Sequence, residues 1–202
     1  MSTQKEFIER CRRAISKRYD RPSSEGLHPL TFTDTLEKFM SQAELAGCKV
    51  VEIADRSMAD DVISTVYPDA KVIASNLPEV KSATLNPDTV EDAAALNHTD
   101  VGVVEARFGV AENGSVWIPQ AVKERDVCFI SENLVAVLPK KEIVNNMHEA
   151  YKRITLPEYG AEEFRSYGYG VFIAGPSKTA DIAQVLVNGA QAARSMTLLL
   201  VG

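Results

Sequence analysis

The run Leu134-Val135-Ala136-Val137-Leu138 is apolar at every position, and Met196 to Val201 is nearly so. A strand with one wet face alternates apolar with polar residues. A strand without a polar side is covered on both faces, as in a parallel sheet flanked by helices. The first run therefore predicts a strand buried on both faces of an α/β sheet, and the second a further strand. The segments before them fit this reading, because strand-like and helix-like stretches alternate: strand Lys49–Ile53, helix Ala59–Tyr67, strand Lys71–Ala74, helix Thr89–Leu96, strand Val101–Glu105. A helix before them has a cap at Thr33 or Asp34, an apolar stripe at Leu36, Phe39, Met40 and Ala43, and a stop at Gly47.

The middle of the chain departs from the alternation. Val103 to Ile118 holds two extended runs separated by Ala111-Glu112-Asn113-Gly114-Ser115, and Asn-Gly at that place is a strong hairpin signal. A helix over Glu142–Ile154 and a loop with Gly160, Gly168 and Gly170 lead to the strand Val171–Ala174. At the other end, Phe7, Ile8, Cys11, Ala14, Ile15 and Tyr19 fall on one stripe of a helix over Glu6–Tyr19. Asp20 to Pro29 is rich in Ser, Pro and Gly and reads as a linker. The expected organisation is an N-terminal helix and linker over 1–29 and one domain over 30–202.

Charge and cysteine content narrow the function. A net charge of -6 argues against a sequence-independent grip on nucleic acid or anionic lipid. The basic residues Arg10, Arg12, Arg13, Lys17, Arg18 and Arg21 stand among Glu6, Glu9 and Asp20, as on a solvated helix face. No signal-peptide pattern and no run of ~20 apolar residues occurs, so a cytoplasmic location is expected. Cys11, Cys48 and Cys128 are far apart and form no C-x-x-C, which argues against an iron–sulfur cluster held by this chain alone. His28, His98 and His148 stand singly, without metal-ligand spacing.

The candidate ligand site is the turn Gly175-Pro176-Ser177-Lys178-Thr179-Ala180-Asp181. It is not a Walker loop: a strand occupies the place of the loop, Pro176 has no N–H, and the Lys does not follow the glycine directly. The pattern predicts a strand-to-helix turn with Ser177 or Thr179 as cap, and the free N–H groups of a helix start attract anions. Asp181 in the first helical turn would complement the dipole in part. A purely structural cap is the competing reading.

Gly175-Pro176-Ser177-Lys178-Thr179-Ala180-Asp181-Ile182, followed by Leu186-Val187-x-Gly189, closely resembles the C-terminal signature of the lactate utilization protein C family, whose members carry the LUD domain. Phe108-Gly109-Val110-Ala111-Glu112-Asn113-Gly114-Ser115 resembles that family's second mark. Three departures stand out. Lys178 takes the place of Arg, Asn113 that of Thr, and Gly189-Ala190-Gln191-Ala192-Ala193-Arg194 that of the usual Gly-Val-His-Gly-Pro. The first keeps the charge and loses a bidentate fork.

The resemblance implies a fold like that of the sugar-phosphate isomerases and coenzyme A transferases. It also implies a role as the cluster-free subunit of a complex oxidising L-lactate to pyruvate. An iron–sulfur subunit and a cysteine-rich subunit would be its partners and would carry the clusters, with none bound by this chain. By the same likeness Glu112 is a candidate catalytic carboxylate, since coenzyme A transferases use a glutamate in a Glu-Asn-Gly context as nucleophile. A turn residue beside Asn113-Gly114 is the competing and favoured reading. The alternatives are a stand-alone transferase or isomerase using Glu112, and a non-catalytic scaffold. If the turn binds a small carboxylate, Gly175, Ser177, Lys178 and Thr179 should converge with Glu112, Asn113 and Gly114 on one pocket, with Asp181 orienting the loop from behind. Tyr167-Gly168-Tyr169-Gly170 is a candidate lid, and Trp117 is expected in core or interface packing.

Overall fold

The computed structural model describes residues 3–17, 19–20, 22–23, 26–156, 166, 168–181 and 184–202. Arg18, Arg21, Gly160, Tyr167 and Ile182 of the readings above lie outside the described residues. The chain opens with α1 (Gln4–Ala14), whose Thr3 and Glu6 close a reciprocal capping box. It is shorter than the apolar stripe suggests, because Ile15 leaves the helical region at ψ 104°.

Helix α2 (Thr35–Ala46) starts at Asp34, which accepts the Glu37 N–H, and stops at Gly47 with φ 98°. Then follow β1 (Cys48–Ile53), α3 (Ala59–Val66), β2 (Ile73–Ala74), β3 (Val101–Glu105), β4 (Phe108–Val110) and β5 (Ser115–Pro119). The second half contains α4 (Val127–Ile130), β6 (Asn133–Pro139), β7 (Ile143–Val144), α5 (Met147–Thr155), β8 (Gly170–Ile173), β9 (Lys178–Thr179), β10 (Val187–Asn188) and β11 (Ser195–Val201).

Five strands form a parallel sheet in the order β1-β11-β6-β3-β2. The two apolar runs are its adjacent central strands, with Leu134 opposite Met196 and Leu138 opposite Leu200. The two-residue period of a strand divides them between two cores. Leu134, Ala136, Leu138, Met196, Leu198 and Leu200 face one cluster with Phe39 and Ala43 of α2. Val135, Val137, Leu199 and Val201 face the other, with Ala59 and Ile63 of α3. Helices thus cover both faces, as the absence of polar positions requires.

A second, four-stranded sheet has the order β7-β4-β5-β8. The hairpin β4–β5 forms where Asn113-Gly114 placed it, with Val110 paired to Ser115. Asn113 Oδ1 accepts from both the N–H and the hydroxyl of Ser115, and Gly114 has φ 68°. Helix α5 covers this sheet through Ala150, against Phe108 and Val110. No helix of the described residues is long and apolar enough to cross a membrane.

Four expectations need correction. The described residues after Gly175 form no helix: β9 and β10 form an antiparallel ribbon, Thr179 opposite Val187 and Lys178 opposite Asn188. Its ends are fixed by long-range backbone bonds, Ser177 N–H to Ala193 O at 2.9 Å and Gly189 N–H to Ser177 O at 2.8 Å. These bonds between distant segments hold the stretch as a ribbon, so tertiary contacts override the local turn-and-cap pattern. Second, the helix expected over Thr89–Leu96 contracts to a 3-10 turn, Ala93–Leu96, capped by Asp92. Third, the Glu142–Ile154 helix begins only at Met147, because Ile143 and Val144 pair with β4 and Asn146 supplies the cap. Fourth, α4 was not foreseen; its four residues are too few for a periodic signal.

Candidate functional site

Gly175 sits where β8 leaves the second sheet and the chain crosses to the amino end of β11. Its φ is 76°, and a Cβ there would lie 3.0 Å from the carbonyl carbon of Ala46, nearer still to its oxygen. Glycine is required both by conformation and by closeness to the last turn of α2. Lys178 reinforces the joint: its ammonium donates to the Ala46 carbonyl at 2.6 Å, where the orphan carbonyls of a helix end collect negative potential.

Beside this joint lies a cavity of about 390 Å³. Phe129, Leu134, Val171, Phe172 and Met196 supply apolar walls, and Gly175, Ser177, Lys178 and Gln191 line its polar side. Cys128 also borders it, but burial, with Asp126 nearby, pushes its thiol up to about 12. Burial likewise pushes the Cys48 thiol up to about 11, against the opposing effects of the Gly175 N–H and the Lys178 charge. Neither thiol is ionised at neutral pH, so neither is a ready nucleophile. No carboxylate or imidazole stands among the described lining residues. Such a cavity can hold a small molecule with an apolar body and one polar end. It brings no acid–base pair to it.

The other candidate residues take different places. Thr179 lies in the ribbon, where its hydroxyl accepts from the Asp181 N–H at 3.4 Å, and Asp181 is exposed. Neither borders the cavity. Glu112 accepts the Met147 N–H at 2.9 Å, so its carboxylate stands at the start of α5. Gly114 meets α2 in the same manner as Gly175, since a Cβ there would come within 2.6 Å of Gln42 C and 2.7 Å of Ala43 Cα. The two marked glycines therefore abut α2 at Ala43 and Ala46, three residues apart and on one helical face. They share a support. They do not share this cavity, because Glu112, Asn113 and Gly114 are absent from its described lining.

The pocket expected at the carboxyl ends of the parallel strands presupposes that the strand before Gly175 belongs to that sheet. β8 pairs antiparallel with β5 instead, and the turn leads to the amino end of β11. At the true carboxyl ends stands a cluster that the sequence reading missed. Arg56, just after β1, donates to Glu79 at 2.5 Å and to Glu105, the last residue of β3, at 2.7 Å. Arg107 lies 3.4 Å from the second oxygen of Glu105. The available signal was position, since residues just past the carboxyl ends of parallel strands face the crevice of an open α/β sheet. Two cations and two carboxylates balance here, so the cluster binds itself together before any ligand.

Comparison with known proteins gives the relationship. The family model described as the LUD domain matches residues 36–201. Lactate utilization protein C 1 of Bacillus mycoides is 31% identical over 103 residues, covering 50% of this chain and 43% of that protein. Lactate utilization protein C of Halalkalibacterium halodurans is 32% identical over 91 residues, 45% of this chain and 39% of the relative. The matched stretch is thus under half the length of these curated relatives. Among solved structures, a DUF162 family protein of Deinococcus radiodurans superposes with TM-score 0.62 at 14% identity, over 86% of this chain and 100% of the other, a likeness of fold. With a match running from α2 through β11, the chain belongs to the LUD domain family.

Proposed function

We propose that this chain is the cluster-free subunit of a multi-protein complex that oxidises L-lactate to pyruvate in the cytoplasm. The observation that carries the proposal is the LUD match over residues 36–201, joined to two relatives named for lactate utilization. Lactate gives up two electrons and two protons in becoming pyruvate. An iron–sulfur subunit and a cysteine-rich subunit would take the electrons. The buried, protonated thiols of Cys48 and Cys128 suit a chain that leaves cluster ligation to its partners.

In this reading a small carboxylate enters the cavity beside Gly175. Its apolar part meets Phe129 and Phe172, and its carboxylate meets Ser177 and the ammonium hydrogens of Lys178 left after the bond to Ala46. Thr179 and Asp181 would act indirectly, by holding the ribbon that carries Ser177 and Lys178.

Affinity purification of the tagged full chain from lactate-grown cells tests the assembly. Recovery of iron-containing partners in constant ratio is expected, and a chain that emerges alone or with iron-free proteins contradicts it. The ligand has its own readout. Trp117, the single tryptophan, lies with its ring centroid 4.7 Å from that of Phe172, which lines the cavity. Titration with L-lactate or pyruvate should produce a saturable change in its emission that Ser177→Ala weakens. A flat titration with both acids removes the ligand part of the proposal.

A further inference from the structure

The first 21 residues carry seven basic and three acidic side chains, whereas the whole chain is -6, so the remainder carries -10. The basic part includes α1, and none of the residues of α1 is buried. Phe7 is 52% exposed, Ile8 40% and Ile15 52%, on the stripe that also holds Cys11. Arg10 flanks the stripe on one side and Lys5 and Arg12 on the other, by the 3.6-residue turn of the helix. Arg10 stacks over Phe7 at 5.5 Å, which keeps a cation at the apolar edge. A helix with this division of faces gains stability by covering the apolar one.

A matching surface lies along α2. A groove of about 330 Å³ has Leu36 and Met40 at its floor and Asp34, Glu37, Glu44 and Glu52 around it. Glu37 and Glu44 are exposed. Asp34 is committed to the cap of α2, and Glu52 pairs with Lys140 at 2.6 Å. Apolar floor with acidic rim complements apolar stripe with basic rim. Within one chain both surfaces stay uncovered.

We propose that α1 docks in the α2 groove of a second copy of this chain, so that two copies exchange helices about a two-fold axis. Such an exchange closes on itself and leaves no further groove to recruit a third copy. About 19 residues separate Ile15 from Asp34, enough to reach a neighbouring molecule at ~3.3 Å per residue.

Cys11 provides the test, because it lies on the stripe and is exposed while Cys48 and Cys128 are buried. The unaltered chain is mixed with a Cys11→Ser, Ser41→Cys chain of different mass, Ser41 lining the groove, and treated with a short bis-maleimide. A cross-linked pair of unequal masses joined through Cys11 and position 41 is expected. Arg10→Glu with Arg12→Glu on the donor should remove it, and Glu37→Lys with Glu44→Lys on the acceptor should restore it. Sedimentation of the unmodified chain should give a dimer that weakens as salt screens the rim. Absence of the mixed product overturns the proposal, as does a mixed product indifferent to both charge changes. Cross-linking within single chains alone, in a Ser41→Cys chain that keeps Cys11, would also overturn it. So would partition of the chain onto anionic vesicles without a mixed product.

Discussion

Replacing Gly175 with alanine tests whether the turn is a joint against α2 before it is anything else. Two costs apply. The left-handed backbone at φ 76° disfavours any Cβ by about 1–2 kcal/mol. The new methyl also meets backbone of Ala46 rather than a yielding side-chain tip, and forced overpacking of this kind costs about 1–3 kcal/mol. Together they predict a loss of about 2–5 kcal/mol, or roughly 4–20 °C in melting temperature for a chain of this length. Gly168→Ala is the matched control, because Gly168 has φ 67° and a Cβ there meets nothing within 4 Å among the described residues. It should lose only the backbone part, about 1–2 kcal/mol. Urea denaturation and thermal melting of both variants against the unaltered chain provide the comparison. If Gly175→Ala melts within about 2 °C of Gly168→Ala, the close approach to α2 does not contribute as described.

Further outcomes follow from the same geometry. Glu112→Ala should destabilise the fold by about 1 kcal/mol through loss of the Met147 N–H acceptor, and Glu112→Gln by less, as read by urea denaturation. In the folded chain at mildly alkaline pH, a thiol reagent should modify Cys11 quickly and Cys48 and Cys128 only on unfolding, as counted by mass spectrometry. The two buried thiols also set a pH dependence. Their folded values are raised from 9.0 to about 11 and about 12, so their contribution is complete below 9.0 and is lost as pH rises through those values. Cys48→Ala should flatten that alkaline fall in the urea midpoint. At the acid end, the Val72 and Lys71 N–H groups hold the Asp100 carboxyl below its ordinary 3.8. Its contribution is therefore present above 3.8 and lost as pH falls further, a slope that Asp100→Asn should reduce.

What could be read from the sequence was what neighbouring residues decide among themselves. Leu134–Leu138 has no polar side and could only be covered on both faces, and Asn113-Gly114 fixes its own turn through bonds to Ser115. The segment after Gly175 is decided elsewhere. Ala193 accepts the Ser177 N–H and Ser177 accepts the Gly189 N–H, so a stretch that opens like a capped helix becomes a ribbon. The second sheet was hidden for the same reason, since β5 pairs with β8 some fifty residues later in the chain. In the site, the sequence marked Gly114 and Gly175 as candidate ligand positions, and their common support on α2 is a contact between distant segments. The Arg56–Glu79–Glu105 cluster joins three separate segments, and its one sequence signal is position at the strand ends, which does not tell which residues pair.

Membership in a lactate-oxidising assembly is most directly tested by rate. Extracts of lactate-grown cells lacking this gene would be assayed for pyruvate formation from L-lactate, before and after addition of the purified chain. Loss of the activity in the deletion extract, with return on addition of the chain at stoichiometric amount, is the predicted result. An unchanged rate of pyruvate formation in the deletion extract would contradict the proposed role.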